Sequence, residues 1–292
     1  MEWEGREESS NVEDRRGFST QQMGVAGGLG AIVVVVLTFV FGMNKDQAQQ
    51  IVNKIGVNQP QKQGENKRPL DPKEERLYSF SKVIFHDTEV VWDKQFANLG
   101  KSYKKPTLVV FTEQVQSGCG LADSGVGPFY CPADEKVYID LAFYTEMERK
   151  LNAPGEFARA YVLAHEVGHH VQKQLGYTAR ADESRGRYGN DSTETNKMSV
   201  RIELQADFLA GVWAHHGQEK YRFLHEGDIE SALNAANQIG DDTLQKRATG
   251  RVKPDSFTHG TSKQRIHWFK EGFDSGDLKR ARELFDLPYN EL

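Results

Sequence analysis

Residues Glu156–Leu175 read EFARAYVLAHEVGHHVQKQL, with small and apolar residues recurring at steps of three and four. This is the period of one face of an α-helix. Pro154 stands just before the pattern and Gly176 just after it, which are positions typical of a helix start and a helix end. The stretch is therefore predicted to be one helix. Gly168 inside it costs about 1 kcal/mol relative to alanine, so we expect close approach of another element or of substrate backbone there.

His165 and His169 lie four residues apart in the predicted helix, with Glu166 directly after the first histidine. Residues four apart share a helix face, so both imidazoles can reach one ion at about 2.0–2.1 Å. Glu166 projects from nearly the same edge, where it can take a proton from metal-bound water. The pattern HExxH thus predicts a zinc site that hydrolyses peptides. The alternative is a chance match with two ordinary surface or core histidines.

A catalytic zinc site needs a third protein ligand and leaves its fourth position to water. The pattern HExxHxxGxxH is excluded, because Gln172 and Leu175 stand where it requires glycine and histidine. A second helical pattern, over about 194–214, holds Glu203 and Asp207 one turn apart. This spacing lets Glu203 ligate the metal while Asp207 hydrogen-bonds the outer nitrogen of a ligand histidine. The alternative is a solvated acidic helix face.

The combination HExxH and ExxAD resembles the gluzincin metallopeptidases. The longer run of motifs is similar to a bacterial family of neutral zinc metallopeptidases anchored by one N-terminal membrane helix. The matching segments cover nearly the whole chain and lie at 13–17, 129–132, 137–140, 165–169, 203–207, 259–262 and 264–265. The resemblance implies one Zn²⁺ per chain with His165, His169 and Glu203 as ligands and Glu166 as the base. Two imidazoles and a carboxylate in an open site favour zinc over iron or manganese.

The predicted fold class is α+β. Residues 107–112 and 136–141 are predicted to be strands, because β-branched and aromatic side chains are frequent in them, and the C-terminal half continues in helical patterns. We expect a zincin-like metallopeptidase domain with a small sheet packed on the active-site helix and a mainly helical C-terminal half. By analogy with gluzincins, an extended substrate would add as a strand beside residues 129–141. An edge strand without a ligand is the alternative.

Residues 24–43 contain no charged residue and centre on a run of apolar side chains. Their length matches the roughly 30 Å hydrocarbon core of a bilayer, so they are predicted to form a transmembrane helix, with a buried core helix as the alternative. The residues ahead of this span are polar and are expected to be disordered. The prediction divides the chain into a polar N-terminal tail (1–23), a transmembrane helix (24–43), a flexible linker (44–70) and a zinc metallopeptidase domain (71–292).

The charges that flank the predicted span are evenly divided, but the pair Arg15 and Arg16 ahead of it favours a cytoplasmic N-terminus. The expected location is the bacterial inner membrane, crossed once, with the catalytic domain on the periplasmic or extracellular side. The sequence has two cysteines, Cys119 and Cys131, and a disulfide between them would close a glycine-rich loop and suit an oxidising compartment. Two buried free thiols are the alternative.

A loop over residues 258–262 precedes a predicted helix that bears Arg265. Such a loop can bring a hydrogen-bond donor to the oxyanion formed at the metal, a contribution of about 3–4 kcal/mol in other enzymes. His259 is the first candidate for this role and Arg265 the second. The alternative makes Thr258 or Ser262 a helix cap and places Arg265 in a structural ion pair.

The net charge of −5 and the absence of a basic stripe with interleaved aromatic residues in the sequence exclude a typical nucleic-acid-binding surface. His170, His215 and His216 fall outside the predicted ligand geometry and are expected to be exposed.

The predicted function is a membrane-anchored zinc endopeptidase that acts on peptides or unfolded proteins. The alternatives are a non-catalytic, zinc-stabilised assembly or chaperone-like factor that binds extended chains, and a latent peptidase activated by displacement of loop 116–131.

Overall fold

The computed structural model describes residues 1–17, 71–190, 192–249 and 251–292. This part of the chain is α+β, with a four-stranded sheet, a two-stranded hairpin and a mainly helical C-terminal half. The strands are β1 (Val12–Asp14), β2 (Thr107–Phe111), β3 (Gln114–Ser117), β4 (Gly120–Asp123), β5 (Phe129–Cys131) and β6 (Lys136–Asp140). The helices are α1 (Pro72–Asn98), α2 (Ala142–Arg149), α3 (Glu156–Leu175), α4 (Thr178–Tyr188), α5 (Thr193–Tyr221), α6 (Asp228–Gln238), α7 (Asp241–Thr249), α8 (Ser262–Ser275) and α9 (Glu283–Asp286).

The strands of the main sheet follow the order β1–β2–β6–β5. β2 pairs in parallel with both β1 and β6, whereas β5 pairs antiparallel with β6 and forms an edge. The strands predicted at 107–112 and 136–141 are confirmed as the two central strands. The edge of the sheet was expected along residues 129–141, but β6 lies between β2 and β5, so β5 alone forms this edge.

Alternate side chains of β2 point to opposite faces of the sheet. Leu108 and Val110 belong to the main core, which they share with buried residues of α1, α3 and α5. Val109 and Phe111 belong to a smaller cluster, completed by residues of the β3–β4 hairpin and of β5. The sheet is therefore covered on one face by the helices and on the other by the hairpin.

A disulfide joins Cys119, in the turn between β3 and β4, to Cys131 at the end of β5. Of the two states that the sequence leaves open, the structure has the disulfide. The bond ties the hairpin to the edge strand of the sheet.

The first 17 residues are part of this body and not the disordered tail that the sequence suggests. Met1 and Trp3 are buried in the main core, and β1 adds a strand to the sheet. Arg6 forms an ion pair with Asp87, which is buried in α1. The polar composition of this segment predicts disorder, but its charged side chains form ion pairs with residues of the domain.

The membrane localisation predicted from the sequence is wrong. None of the helices in the described ranges is long and apolar enough to cross a bilayer, which takes about 20 apolar residues. A single crossing would also place residues 1–17 and the domain on opposite sides of the bilayer, whereas β1 pairs with β2 in one sheet. The predicted transmembrane helix 24–43 and linker 44–70 lie outside the described residues.

The two long helices α3 and α5 carry the candidate site. α3 has the bounds predicted from the sequence, and Gly176 ends it in the left-handed conformation. Ser192 caps the start of α5, and its side chain accepts a hydrogen bond from the backbone N–H of Thr195. The helices approach closely at Gly168, where a Cβ atom would lie 3.1 Å from the carbonyl oxygen of Ala206. The expected close approach of another element at this glycine is confirmed.

Candidate active site

Three candidate metal ligands converge where α3 and α5 pack together. The rings of His165 and His169 have centroids 4.9 Å apart. Glu203 of α5 reaches both, with Oε2 at 3.2 Å from Nε2 of His165 and Oε1 at 3.6 Å from Nε2 of His169. The donor atoms of all three residues lie within 4.8 Å of one another, so one ion can contact all of them. Two imidazole nitrogens and a carboxylate are donors that suit Zn²⁺.

Asp207, one turn after Glu203, is fully buried behind His165. Its Oδ1 lies 2.8 Å from Nδ1 of His165. When that nitrogen donates to the carboxylate, Nε2 of the ring is left with a lone pair on the side of Glu203. Asp207 also accepts a hydrogen bond of 2.5 Å from the hydroxyl of Tyr161 and bonds of 2.8 and 2.9 Å from the guanidinium of Arg265. The sequence predicts that Asp207 hydrogen-bonds the outer nitrogen of a ligand histidine, and the structure places Asp207 at this distance from His165.

Opposite charges control the ionisation of these buried groups. Burial raises the pKa of Asp207, but attraction to Arg265 and His165 outweighs it and lowers the pKa to about 2. Burial likewise raises the pKa of Glu203, and attraction to His169 with the hydrogen bond from His165 brings it well below its usual range. For His165, burial lowers the pKa, while Asp207 and Glu203 raise it to about 10. The two carboxylates thus create a place for one positive charge, either a proton or a metal ion.

His169 has a different orienting partner, which the sequence analysis missed. Its Nδ1 lies 2.9 Å from Oε1 of Gln172, and the amide nitrogen of Gln172 donates to the carbonyl of Ile202 at 2.5 Å. This glutamine therefore links the second histidine to α5 next to Glu203. A signal was present in the sequence, because a residue three positions after a ligand histidine lies on the same helix face.

Glu166 is only 9% exposed, and it lines the cleft that opens over the three ligands. Burial raises the pKa of its carboxyl group, although the nearby histidines act in the opposite direction. The backbone of Tyr130, in the edge strand β5, also lowers this pKa. A carboxyl group with a raised pKa is suited to accept a proton and to give it up again near neutral pH.

The cleft has a volume of about 610 Å³. The segment 125–130, which leads into β5, forms one of its borders, and His259 and Arg265 also line it. Apolar side chains contribute to its walls, namely Val126, Phe143, Leu151, Val162, Ile239 and Leu244. The cleft therefore combines a sheet edge, a carboxyl group and an apolar lining.

The structure places the two candidate oxyanion donors differently. The side chain of His259 is half exposed, and a hydrogen bond to Asp241 raises its pKa. The Asp241 carboxylate also accepts the backbone N–H groups of the His259 loop, including that of His259 at 2.6 Å. Arg265 is 3% exposed, and its guanidinium binds Asp207 and the hydroxyl of Tyr161 behind His165. Arg265 thus forms the structural ion pair that was the alternative to its role as an oxyanion donor, whereas His259 has a side chain accessible from the cleft.

Two smaller expectations are corrected by the structure. α8 begins with Thr261 as its cap, in a capping box with Gln264, so neither Thr258 nor Ser262 caps it. His170 was expected to be exposed but is fully buried, with Nδ1 at 3.0 Å from the Tyr130 hydroxyl. The buried ring supports the edge strand from behind.

The fold and these side chains define a class of protein, one with a candidate metal site of two histidines and one glutamate and with a carboxyl group beside it. A family model described as "Putative neutral zinc metallopeptidase" matches residues 1–283, and the chain belongs to this family. The family predicted from the sequence motifs is therefore confirmed.

Two relatives show the extent of the similarity. "Uncharacterized protein YpfJ" of Escherichia coli strain K12 is 47% identical over 283 residues, which are 95% of this chain and 96% of that protein. "Uncharacterized protein Rv2575" of Mycobacterium tuberculosis strain ATCC 25618 / H37Rv is 42% identical over 186 residues, which are 60% of this chain and 61% of the relative. No solved structure matches the chain.

Proposed function

We propose that the protein is a zinc-dependent endopeptidase with a zincin-like domain, which hydrolyses peptide bonds in peptides or unfolded proteins. The observation that carries this proposal is the position of Glu166, buried in a cleft beside three converging metal ligands. A structural zinc site normally fills all four positions with protein ligands, whereas this group has three members among the described residues. Three ligands and an adjacent carboxyl group favour catalysis.

His165, His169 and Glu203 would hold one Zn²⁺ per chain. When bound at these residues, Zn²⁺ would supply a water with a pKa of about 7 and a Lewis acid for the scissile carbonyl. Glu166 accepts the proton of the attacking water and delivers it to the leaving amine. The raised pKa of Glu166 supports this shuttle, because the carboxyl group holds the proton more readily between the two transfers.

Other residues would orient these groups or stabilise charge. Asp207 and Gln172 fix the two histidines through their outer ring nitrogens. Arg265 acts through Asp207 as a positioning residue. His259, which is half exposed and lines the cleft, is the candidate donor to the oxyanion.

The substrate would lie in extended form along the edge strand β5. Tyr130 of this strand and Glu166 line the same cleft, so β5 borders the space beside the carboxyl group. A chain that adds to this edge would pass over the ligands. Val126 and Leu244 line the cleft and are 63% and 39% exposed, which favours substrates with apolar side chains near the scissile bond.

The replacement Glu166→Gln tests the proposal. The variant should keep its zinc, because the ligands are unchanged, but hydrolysis of a fluorescently labelled unfolded protein should fall about 10²- to 10⁴-fold. The matched control is Glu183→Gln, which changes an exposed glutamate of α4 and should leave the rate unchanged. Unchanged turnover by a zinc-loaded Glu166→Gln protein would reject the proposed role of this residue.

A further inference from the structure

A second group of metal-ligating side chains lies near the C-terminal end of α5. His215, His216 and Glu219 bring three donor atoms within 4.8 Å of one another. The two imidazole rings have centroids 4.9 Å apart and an angle of 79° between their planes. The corresponding values for His165 and His169 are 4.9 Å and 88°. The second group therefore has the ligand types and the ring spacing of the first.

Each imidazole of the second group is held by a backbone carbonyl at the end of α8. Nδ1 of His215 donates to the carbonyl of Phe273 at 2.7 Å, and Nε2 of His216 donates to the carbonyl of Gly276 at 2.9 Å. A neutral imidazole that donates through one nitrogen has a lone pair on the other. A carbonyl on the outer nitrogen is a common partner of histidines that ligate metals, because it fixes the tautomer and the ring orientation.

The remaining nitrogens of both rings face the same carboxylate. Nε2 of His215 lies 3.6 Å from Oε1 of Glu219, and Nδ1 of His216 is within hydrogen-bond distance of Oε2, at 2.9 Å. One cation between the three groups, either a proton on His216 or a metal ion, offsets the repulsion between the imidazole lone pairs and the carboxylate. Ligands of a tetrahedral Zn²⁺ stand roughly 3.4 Å apart, given bond lengths of about 2.0–2.2 Å, so the observed distances bracket what the ion requires.

The loop after α8 leaves room for this arrangement. A Cβ atom on Gly276 would lie 2.4 Å from Cδ2 of His215, so a larger residue at this position would displace the ring. The side chains of His215, His216 and Glu219 are 27%, 19% and 60% exposed, and an ion can therefore enter from solvent and retain water. The two histidines were expected to be exposed, and their partial burial is a correction.

We propose that His215, His216 and Glu219 form a second site for a divalent transition metal such as Zn²⁺. The bound ion connects α5, through both imidazoles and their carbonyl partners, to the end of α8. It thereby stabilises the contact between the two helices that carry Glu203 and Arg265. Imidazole ligands favour Zn²⁺ over Mg²⁺ and Ca²⁺, which prefer sites made of oxygen atoms.

The number of bound ions tests this proposal. After equilibration with Zn²⁺ and removal of excess ion, metal analysis of the full chain should find two Zn²⁺ per chain. The variant His215→Gln/His216→Gln should bind one and keep its hydrolytic rate. The matched control His225→Gln/His267→Gln removes two exposed histidines and should still bind two. A single Zn²⁺ in the wild type, or two in the His215→Gln/His216→Gln variant, would overturn the proposal.

A second measurement isolates the site and does not depend on catalysis. In the variant His165→Gln/His169→Gln, Zn²⁺ at 100 times its Kd should raise the Tm by roughly 5–10 °C, and Mg²⁺ should not. Adding Glu219→Gln, a conservative change at a half-exposed side chain, should abolish most of this rise. A Zn²⁺-dependent rise that persists with Glu219→Gln would reject the assigned ligands, whatever the outcome for Glu166.

Discussion

The two groups of histidine and glutamate side chains contain similar candidate ligands but differ in the residues around them. The first lies between α3 and α5, and the second lies on α5 alone. In the first, a buried carboxylate, Asp207, orients His165, and Glu166 lies beside the ligands in a deep cleft. In the second, backbone carbonyls orient both rings and Glu219 is 60% exposed. Ligand spacing is therefore similar in the two groups. The proposed reaction would depend on the buried carboxylates and on the cleft around the first group.

The largest difference is expected when the ligand carboxylates are exchanged for amides. Glu203→Gln should abolish hydrolysis and should lower the zinc affinity of the first group by more than about 100-fold. Loss of an orienting partner costs at most about 100-fold, and the loss of a ligand should cost more. Glu219→Gln should leave hydrolysis unchanged. Zinc competition with a chelator and hydrolysis of an unfolded protein measure the two effects. Equal loss of activity in both variants would contradict the assignment of one catalytic group.

The orienting carboxylate of the first group should contribute a smaller effect. Asp207→Asn should lower zinc affinity about 10- to 100-fold. It should also destabilise the metal-free protein by about 3–5 kcal/mol, because Arg265 is left as an uncompensated buried charge. Chemical denaturation and zinc competition measure these quantities. In Asp207→Asn/Arg265→Gln, stability should recover but zinc affinity should not, and recovery of both would show that Asp207 acts only through the ion pair.

The buried proton of His165 predicts a pH dependence for the first group. In an unfolded chain, histidine has a pKa of about 6.5. Because folding raises the pKa of His165 to about 10, its proton stabilises the metal-free fold fully below pH 6.5, and this stabilisation is lost as pH rises through about 10. Zinc must displace that proton, so affinity should increase about tenfold per pH unit in this window. Affinities measured in His215→Gln/His216→Gln, which retains only the first group, should show this slope, and a flat profile would contradict it.

The smallest effect is expected at Gln172, the neutral partner of His169. Its hydrogen bond lacks a charged acceptor, and such bonds have about half the strength of charged ones. Gln172→Leu should therefore reduce zinc affinity roughly three- to tenfold, less than Asp207→Asn does. Zinc competition on both variants in parallel checks the order. A larger loss at Gln172 would mean that the amide contact with α5 is the main orienting interaction.

Local sequence signals were sufficient for the first group. The bounds of α3 could be predicted because Pro154 and Gly176 flank a clear apolar period. The ligands follow from helical spacing, and Glu203 lies in a second helix with the same kind of pattern. These features depend only on residues close to one another in the chain.

Features that depend on distant contacts could not be predicted. The helical pattern of α5 is predicted over about 194–214, where Trp213 is the last residue of its apolar stripe. The helix continues to Tyr221, and Gly217 accommodates the ring of Phe223, which would lie 2.5 Å from a Cβ atom there. Residues 1–17 were likewise misjudged, since Arg6 finds its partner Asp87 in another element. Tertiary contacts decide both cases.

The contact at Gly168 has a consequence for how this motif is transferred or recognised. The letter x in HExxH suggests a free choice, yet here the fourth position faces the backbone of Ala206 in α5, the helix that carries Glu203. A methyl group there would lie 3.1 Å from the carbonyl oxygen of Ala206, so α5 would have to shift by a few tenths of an ångström. Grafting this centre onto another scaffold would therefore require a glycine at this position in addition to the ligands.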